Sequence, residues 1–168
     1  MTRMKYRTTS LGIALLAFMV VFTLGCKKMD KERNAVSDPS LQKNLFEAIN
    51  ASPEFSVFSK YLVQTGYDKV LSTTKAYTVF VPTNEAMILI DASITGSAAK
   101  LKQFVANHIS EEVLSYSAAT VNRRVQMANG KYNAIGTMAF ENATVTHPNR
   151  YASNGVFHGI NMGVNALE

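Results

Sequence analysis

The chain has 168 residues, with 17 Lys plus Arg against 12 Asp plus Glu, one Cys and no Trp. Its formal charge of +5 is a weak argument for a nucleic-acid partner: Arg3, Lys5 and Arg7 sit in a leader, and 17 less these three leaves 14 basic residues against 12 acidic ones, too small an excess to organise phosphate contacts. A single cysteine excludes an internal disulfide, so one apolar core must hold the fold, which a chain of this length accommodates.

The leader comes first. After its three cations, the predominantly apolar run from Leu11 to Leu24 would extend about 21 Å as a helix, short of the roughly 30 Å hydrocarbon core. It reads as a signal peptide covering residues 1–25. Cys26, directly after Thr23-Leu24-Gly25, resembles the cysteine of a bacterial lipobox, which is acylated before the leader is removed. That resemblance implies a lipid-anchored protein of the cell envelope, attached to a membrane through Cys26. Lys27 in place of an aspartate-type retention signal points to the outer membrane, on its surface or periplasmic face. Residues 26–37, "CKKMDKERNAVS", are charged and aperiodic and read as a flexible tether.

The folded domain is expected over residues 38–168. Asp38-Pro39-Ser40 opens it, and Leu41, Leu45, Ala48 and Ile49 form one apolar helical face. Ser52-Pro53-Glu54 restarts a helix with Phe55, Phe58 and Leu62 on one side, and Gly66 stops it. A turn-rich interval to "STTK" precedes the strand "YTVFVP", which Pro82 ends because it has no ladder N–H to donate. Thr83 or Asn84 then caps a short helix running to about Asp91, with Glu85 near its positive end. Leu101, Phe104, Val105, His108 and Ile109 mark an amphipathic helix over about 97–109.

Beyond Glu111 the pattern turns to strands. Asn129-Gly130 is a two-residue hairpin signal, Arg123-Arg124 fits a solvated loop or strand edge, "TMAFENATVT" supplies a strand or pair, and His147-Pro148 reads as loop. After a turn at Ser153-Asn154-Gly155, Val156, His158 and Ile160 alternate onto one face. Helices, a strand, more helices and then a run of strands argue for an α+β fold with a mainly antiparallel sheet.

Catalytic patterns are missing from the sequence. There is no G-x-S-x-G elbow and no Gly-rich phosphate loop. The histidines, His108, His147 and His158, have no metal-ligand spacing, and Glu111-Glu112 point in different directions. No catalytic residue, metal or cofactor is therefore expected. A lone histidine on an apolar helix face, as His108 is, is more often a core residue bonded to the main chain.

Three blocks, in order, resemble the fasciclin domain, an adhesion-associated fold of extracellular proteins: "YTVFVPTNEAM", "LKQFVANHI" and "NGVFHGINMGV". The resemblance places Thr83, Asn84, Glu85 and Ala86 on the first signature, His108 on the middle one, and Asn154, Gly155 and His158 on the last, where they organise core and turns. Asn107 stands where tyrosine is common, and Asn161 where aspartate is common. The resemblance implies a wedge of mainly antiparallel β-structure with several packed α-helices. It also implies a non-catalytic role in adhesion, through an extracellular or envelope protein or a glycan. The alternative is a structural accessory part of an outer-membrane nutrient-uptake or extracellular-matrix system.

Overall fold

The computed structural model describes residues 39–117 and 122–165. The leader, Cys26, the tether and Asp38 lie outside the described residues. Among those described, a 3-10 turn at Pro39–Gln42 precedes α1 (Leu45–Asn50), which starts at a capping box. The Asn44 side chain accepts the Glu47 N–H at 2.9 Å, and the Glu47 carboxylate accepts the Asn44 N–H at 3.0 Å, so two helix-end donors are matched reciprocally. Leu45 and Ile49 are buried, whereas Leu41, expected on the same face, is 49% exposed, because it lies in the 3-10 turn before the cap and out of helical phase.

Pro53–Phe55 turns into α2 (Ser56–Thr65), which Gly66 ends in the left-handed conformation at φ +78°. Phe55, Phe58 and Leu62 are fully buried as their spacing requires. A further helix, α3 (Tyr67–Leu71), occupies part of the interval that reads as turn-rich; five residues are too few to display a period. The strand β1 (Tyr77–Pro82) is followed by α4 (Asn84–Ile88), capped by Thr83, whose hydroxyl accepts the Ala86 N–H at 3.3 Å. That helix stops before Asp91. Asp91 instead caps α5 (Ala92–Thr95) by accepting the Ser93 N–H at 2.7 Å.

Ser97 caps α6 (Ala98–Ala106). Ile109, expected in that helix, belongs instead to β2 (Ile109–Ser110), which pairs antiparallel with β1. The apolar period runs on through Ile109 because the residue is buried in either setting. The remaining strands are β3 (Arg123–Gln126), β4 (Tyr132–Gly136), β5 (Ala139–Phe140), β6 (Ala143–Ala152) and β7 (Gly155–Ile160).

The sheet order is β2-β1-β7-β6-β5-β4-β3, antiparallel except for the parallel pair β1 and β7. Its two outer strands return to each other at one corner: the Ala128 N–H donates to Ile109 O at 2.7 Å and the Ser110 hydroxyl to Gln126 O at 2.9 Å. The curl divides the interior in two. Helices α1, α2 and α6 pack Leu45, Phe58, Leu62 and Phe104 on Val79, Val81 and Phe157. The concave side of the sheet encloses Phe80, Val125, Ile135, Phe140, Val145 and Ile160. Strand β1 is covered on both faces, which is why all six of its residues are buried and its sequence is almost continuously apolar.

Two turns differ from their sequence signals. The hairpin joining β3 and β4 closes through Met127 and Lys131, whose main chains bond at 2.8 Å, and only Gly130 takes positive φ, at +82°. Asn129 is thus part of a wider loop with a glycine bulge. His147-Pro148 lies within β6, where two register shifts against β7 bracket it; a strand tolerates proline at such a bulge.

Gly155 opens β7 at φ +145°, and a Cβ there would stand 2.0 Å from Tyr77 O across the parallel pair. Gly130 also has positive φ, at +82°, but open space around it. Gly155→Ala is expected to cost at least about 2 kcal/mol, by overpacking on top of strain, against about 1 kcal/mol for Gly130→Ala. Urea denaturation of the two variants checks the order, and an equal loss would contradict the close approach at the β1–β7 seam.

Candidate functional site

The residues singled out by sequence gather at the two ends of β1 and in the cores beside it. At its far end, Thr83 caps α4 while its N–H donates to Ile160 O at 3.0 Å. Asn84, the other candidate cap, has a tertiary task. Its side-chain oxygen accepts the Val57 N–H at 3.0 Å and its amide donates to Pro53 O at 2.9 Å, tying the start of α2 to this corner. Glu85 is exposed in the first turn of α4 and Ala86 is buried beneath it.

At the near end, Asn154 is 6% exposed and makes three bonds. Its oxygen accepts the Leu45 N–H at 2.7 Å, and its amide donates to Leu71 O at 2.8 Å and Thr73 O at 2.6 Å. The start of α1 and the end of α3 are thereby both fixed to the turn that leads into Gly155.

Both core histidines are committed to main-chain partners. His108 Nδ1 donates to Phe104 O at 2.8 Å, and its Nε2 accepts the Val164 N–H at 3.1 Å. His158 Nε2 donates to Leu114 O at 2.8 Å, and its Nδ1 accepts the Asn149 N–H at 3.0 Å. Each donor–acceptor pattern defines a neutral ring, of opposite tautomer in the two cases. Burial pushes both pKa values down to about 4, against the smaller opposing effect of their carbonyl partners. The rings do not meet: Phe80 and Phe140, stacked at 3.9 Å, lie between them. No serine or carboxylate bonds either ring among the described residues. Nor do these include a group of three or more His, Cys, Asp or Glu placed to hold a metal.

A second region was not singled out by sequence. An open polar cleft of about 980 Å³ lies between the β3–β4 hairpin, α5 and the segment after β7, lined by Ser93, Arg124, Tyr132, Asn133, Asn142 and Met162 among others. Asn107, fully buried, joins these walls. Its amide donates to Val164 O at 3.2 Å, its side-chain oxygen accepts from Asn129 Nδ2 at 3.0 Å, and its main-chain carbonyl accepts from Asn133 Nδ2 at 3.1 Å. The only sequence trace of this hub is an asparagine at the end of an apolar helix.

The fasciclin domain family model matches residues 53–162. The chain belongs to the fasciclin domain family. A solved structure described as a FAS1 domain pair from the insect cell adhesion molecule fasciclin I aligns with a TM-score of 0.52 at 18% identity, covering 75% of this chain and 51% of that one. The likeness is one of fold, and this chain spans about half the length of its counterpart. A comparison with curated proteins finds no match. Against the fasciclin pattern, the asparagine at 161 keeps an acceptor where aspartate is common: its side-chain oxygen takes the Thr144 N–H at 2.8 Å. Asn107, in the place of a common tyrosine, builds the amide hub instead.

Two outcomes follow from these bonds. Each histidine binds its proton near pH 6.5 when unfolded and near 4 when folded. The unfolded state therefore holds more protons between those values, and stability present above pH 6.5 falls by up to roughly 3 kcal/mol per histidine as pH drops toward 4. The main-chain-bonded carboxylate of Glu54, whose pKa is lowered from 4.5, loses its contribution only below that value. Urea midpoints measured between pH 6.5 and 4.5 should therefore decline in the wild type and decline less in His158→Gln; identical slopes would refute the neutral, buried state of His158. Separately, Asn107→Ala should destabilise by roughly 2–3 kcal/mol and speed amide exchange at Met127 and Val164, and unchanged exchange there would refute the hub.

Proposed function

We propose that this chain is a cell-envelope lipoprotein, anchored through lipid on Cys26, whose fasciclin domain attaches the cell to a protein or glycan partner without catalysing a reaction. The observation that carries the non-catalytic part is the commitment of the signature histidines and asparagines to main-chain partners. Both nitrogens of His108 and of His158 face main-chain groups, and Asn84 and Asn154 are likewise spent on neighbouring backbone. A general base needs a free nitrogen within reach of a substrate proton, and neither ring offers one. Family membership supports the adhesion part, and the lipobox-like run ending at Cys26 supports the anchor.

The experiment uses cells producing the full chain or its Cys26→Ser variant. The substitution is expected to abolish fatty-acid labelling, to release the chain from the membrane fraction and to reduce cell attachment to envelope or matrix material. Label retained by the variant would overturn the anchor, and equal attachment by cells with and without the chain would overturn the adhesive role.

A further inference from the structure

We propose that the cleft between the β3–β4 hairpin and α5 is a binding site for a short acidic oligosaccharide, with Tyr132 as the stacking surface and Arg124 as the carboxylate contact. This names the partner chemistry of the adhesive reading above and rests on it.

The register of the hairpin sets Arg124 opposite Ala134 and Gln126 opposite Tyr132. Arg124 and Tyr132 are therefore diagonal neighbours on the outward face of the two strands, close enough for long side chains to serve one ligand. Tyr132 is 52% exposed, a large aromatic side chain held at the cleft wall with no core to fill. Its ring offers an apolar face and its hydroxyl a polar edge, the combination that suits the C–H face and hydroxyl rim of a sugar.

Arg124 donates from Nη2 to Tyr132 O at 3.0 Å, which aims the guanidinium without neutralising it. Among the described residues it has no ion-pair partner. The two carboxylates lining the cleft are already occupied: Asp91 accepts the Ser93 N–H at 2.7 Å and Glu141 the Ala134 N–H at 2.6 Å. Both carboxylates keep their charge but turn an oxygen onto a main-chain N–H, whereas Arg124 brings to the cleft a planar cation whose geometry matches a carboxylate in a bidentate pair.

The other walls favour a hydroxylated ligand over a peptide with apolar anchors. Ser93 and Asn142 present a hydroxyl and an amide, while Ile94 and Val164 are buried and Met162 is 37% exposed. No deep apolar recess is left to take a hydrophobic side chain. The volume of about 980 Å³ lies at the upper end of ordinary ligand sites. The Asn107 bonds hold hairpin and post-β7 segment in fixed relation, so little of the site has to be ordered on binding.

The purified full chain is titrated calorimetrically with tetramers of galacturonate, glucuronate and mannuronate, and with their methyl esters, which keep the rings and lose the charge. At least one acid should bind about tenfold more tightly than its ester. Arg124→Ala should erase that preference, and Tyr132→Ala should weaken both forms by about tenfold, as expected for anchor residues. Both residues are exposed, and an unchanged thermal midpoint shows that each variant is folded.

No binding of any acid at millimolar concentration, esters binding as tightly as acids, or binding that survives both substitutions would each overturn the proposal. Arg124-dependent binding of peptides in place of every tetramer would assign the cleft to a protein partner and also overturn it. The attachment assay is run with the same variants. Attachment that persists in both, without uronate binding, removes the cleft proposal alone; attachment absent from the unsubstituted chain removes the adhesive reading beneath it.

Discussion

The bulged passage of β6 leaves the Asn149 N–H inside the molecule with no strand carbonyl opposite, at a residue whose own φ is +56°. His158, one strand away, accepts that N–H and passes its other nitrogen to the Leu114 carbonyl. The same constraint recurs wherever the main chain leaves regular structure. His108 matches the end of α6 to Val164, Asn154 matches α1 to the turn before β7, and Asn84 matches the start of α2 to the corner after β1. A buried main-chain group without a partner costs more than an ordinary hydrogen bond gains. The polar residues of the signatures are therefore fixed in identity by the irregular backbone around them.

This accounts for what was readable in the sequence. Apolar period placed α2 and most of α6, and Pro82 ended β1, because burial on one face and a missing N–H are local properties. The capping box at Asn44 and Glu47 is equally local, an Asn-x-x-Glu pattern hidden by the stronger Asp-Pro-Ser signal upstream. The β character of Ile109, the strand position of His147 and the tertiary bonds of Asn84 were not readable, since each depends on a partner far along the chain. A buried isoleucine looks the same in a helix and in a strand, and a proline in a bulge looks the same as one in a loop.

The cleft was invisible for a different reason. Ser93, Arg124, Tyr132 and Asn142 are unremarkable alone and come from separate elements, brought together by the fold of the hairpin against α5. The signature histidines and asparagines hold the scaffold together, while Ser93, Arg124, Tyr132 and Asn142 lie outside the three signature blocks. Asn107 serves both as core residue and as support for the cleft walls.

The parallel pairing of β1 with β7 sets the order in which the molecule can assemble. Strand β1 follows α1–α3 in the chain, yet its main partner is the last strand, joined to it from Tyr77 with Gly155 to Pro82 with Ile160. Contacts between segments so distant in sequence must overcome a large loop-closure entropy before they return any stability, and folds dominated by them form slowly. The helical half can collapse early on local contacts, but the central strand stays incomplete until nearly the whole chain is available. A chain built this way completes its central sheet only once its final strand is available.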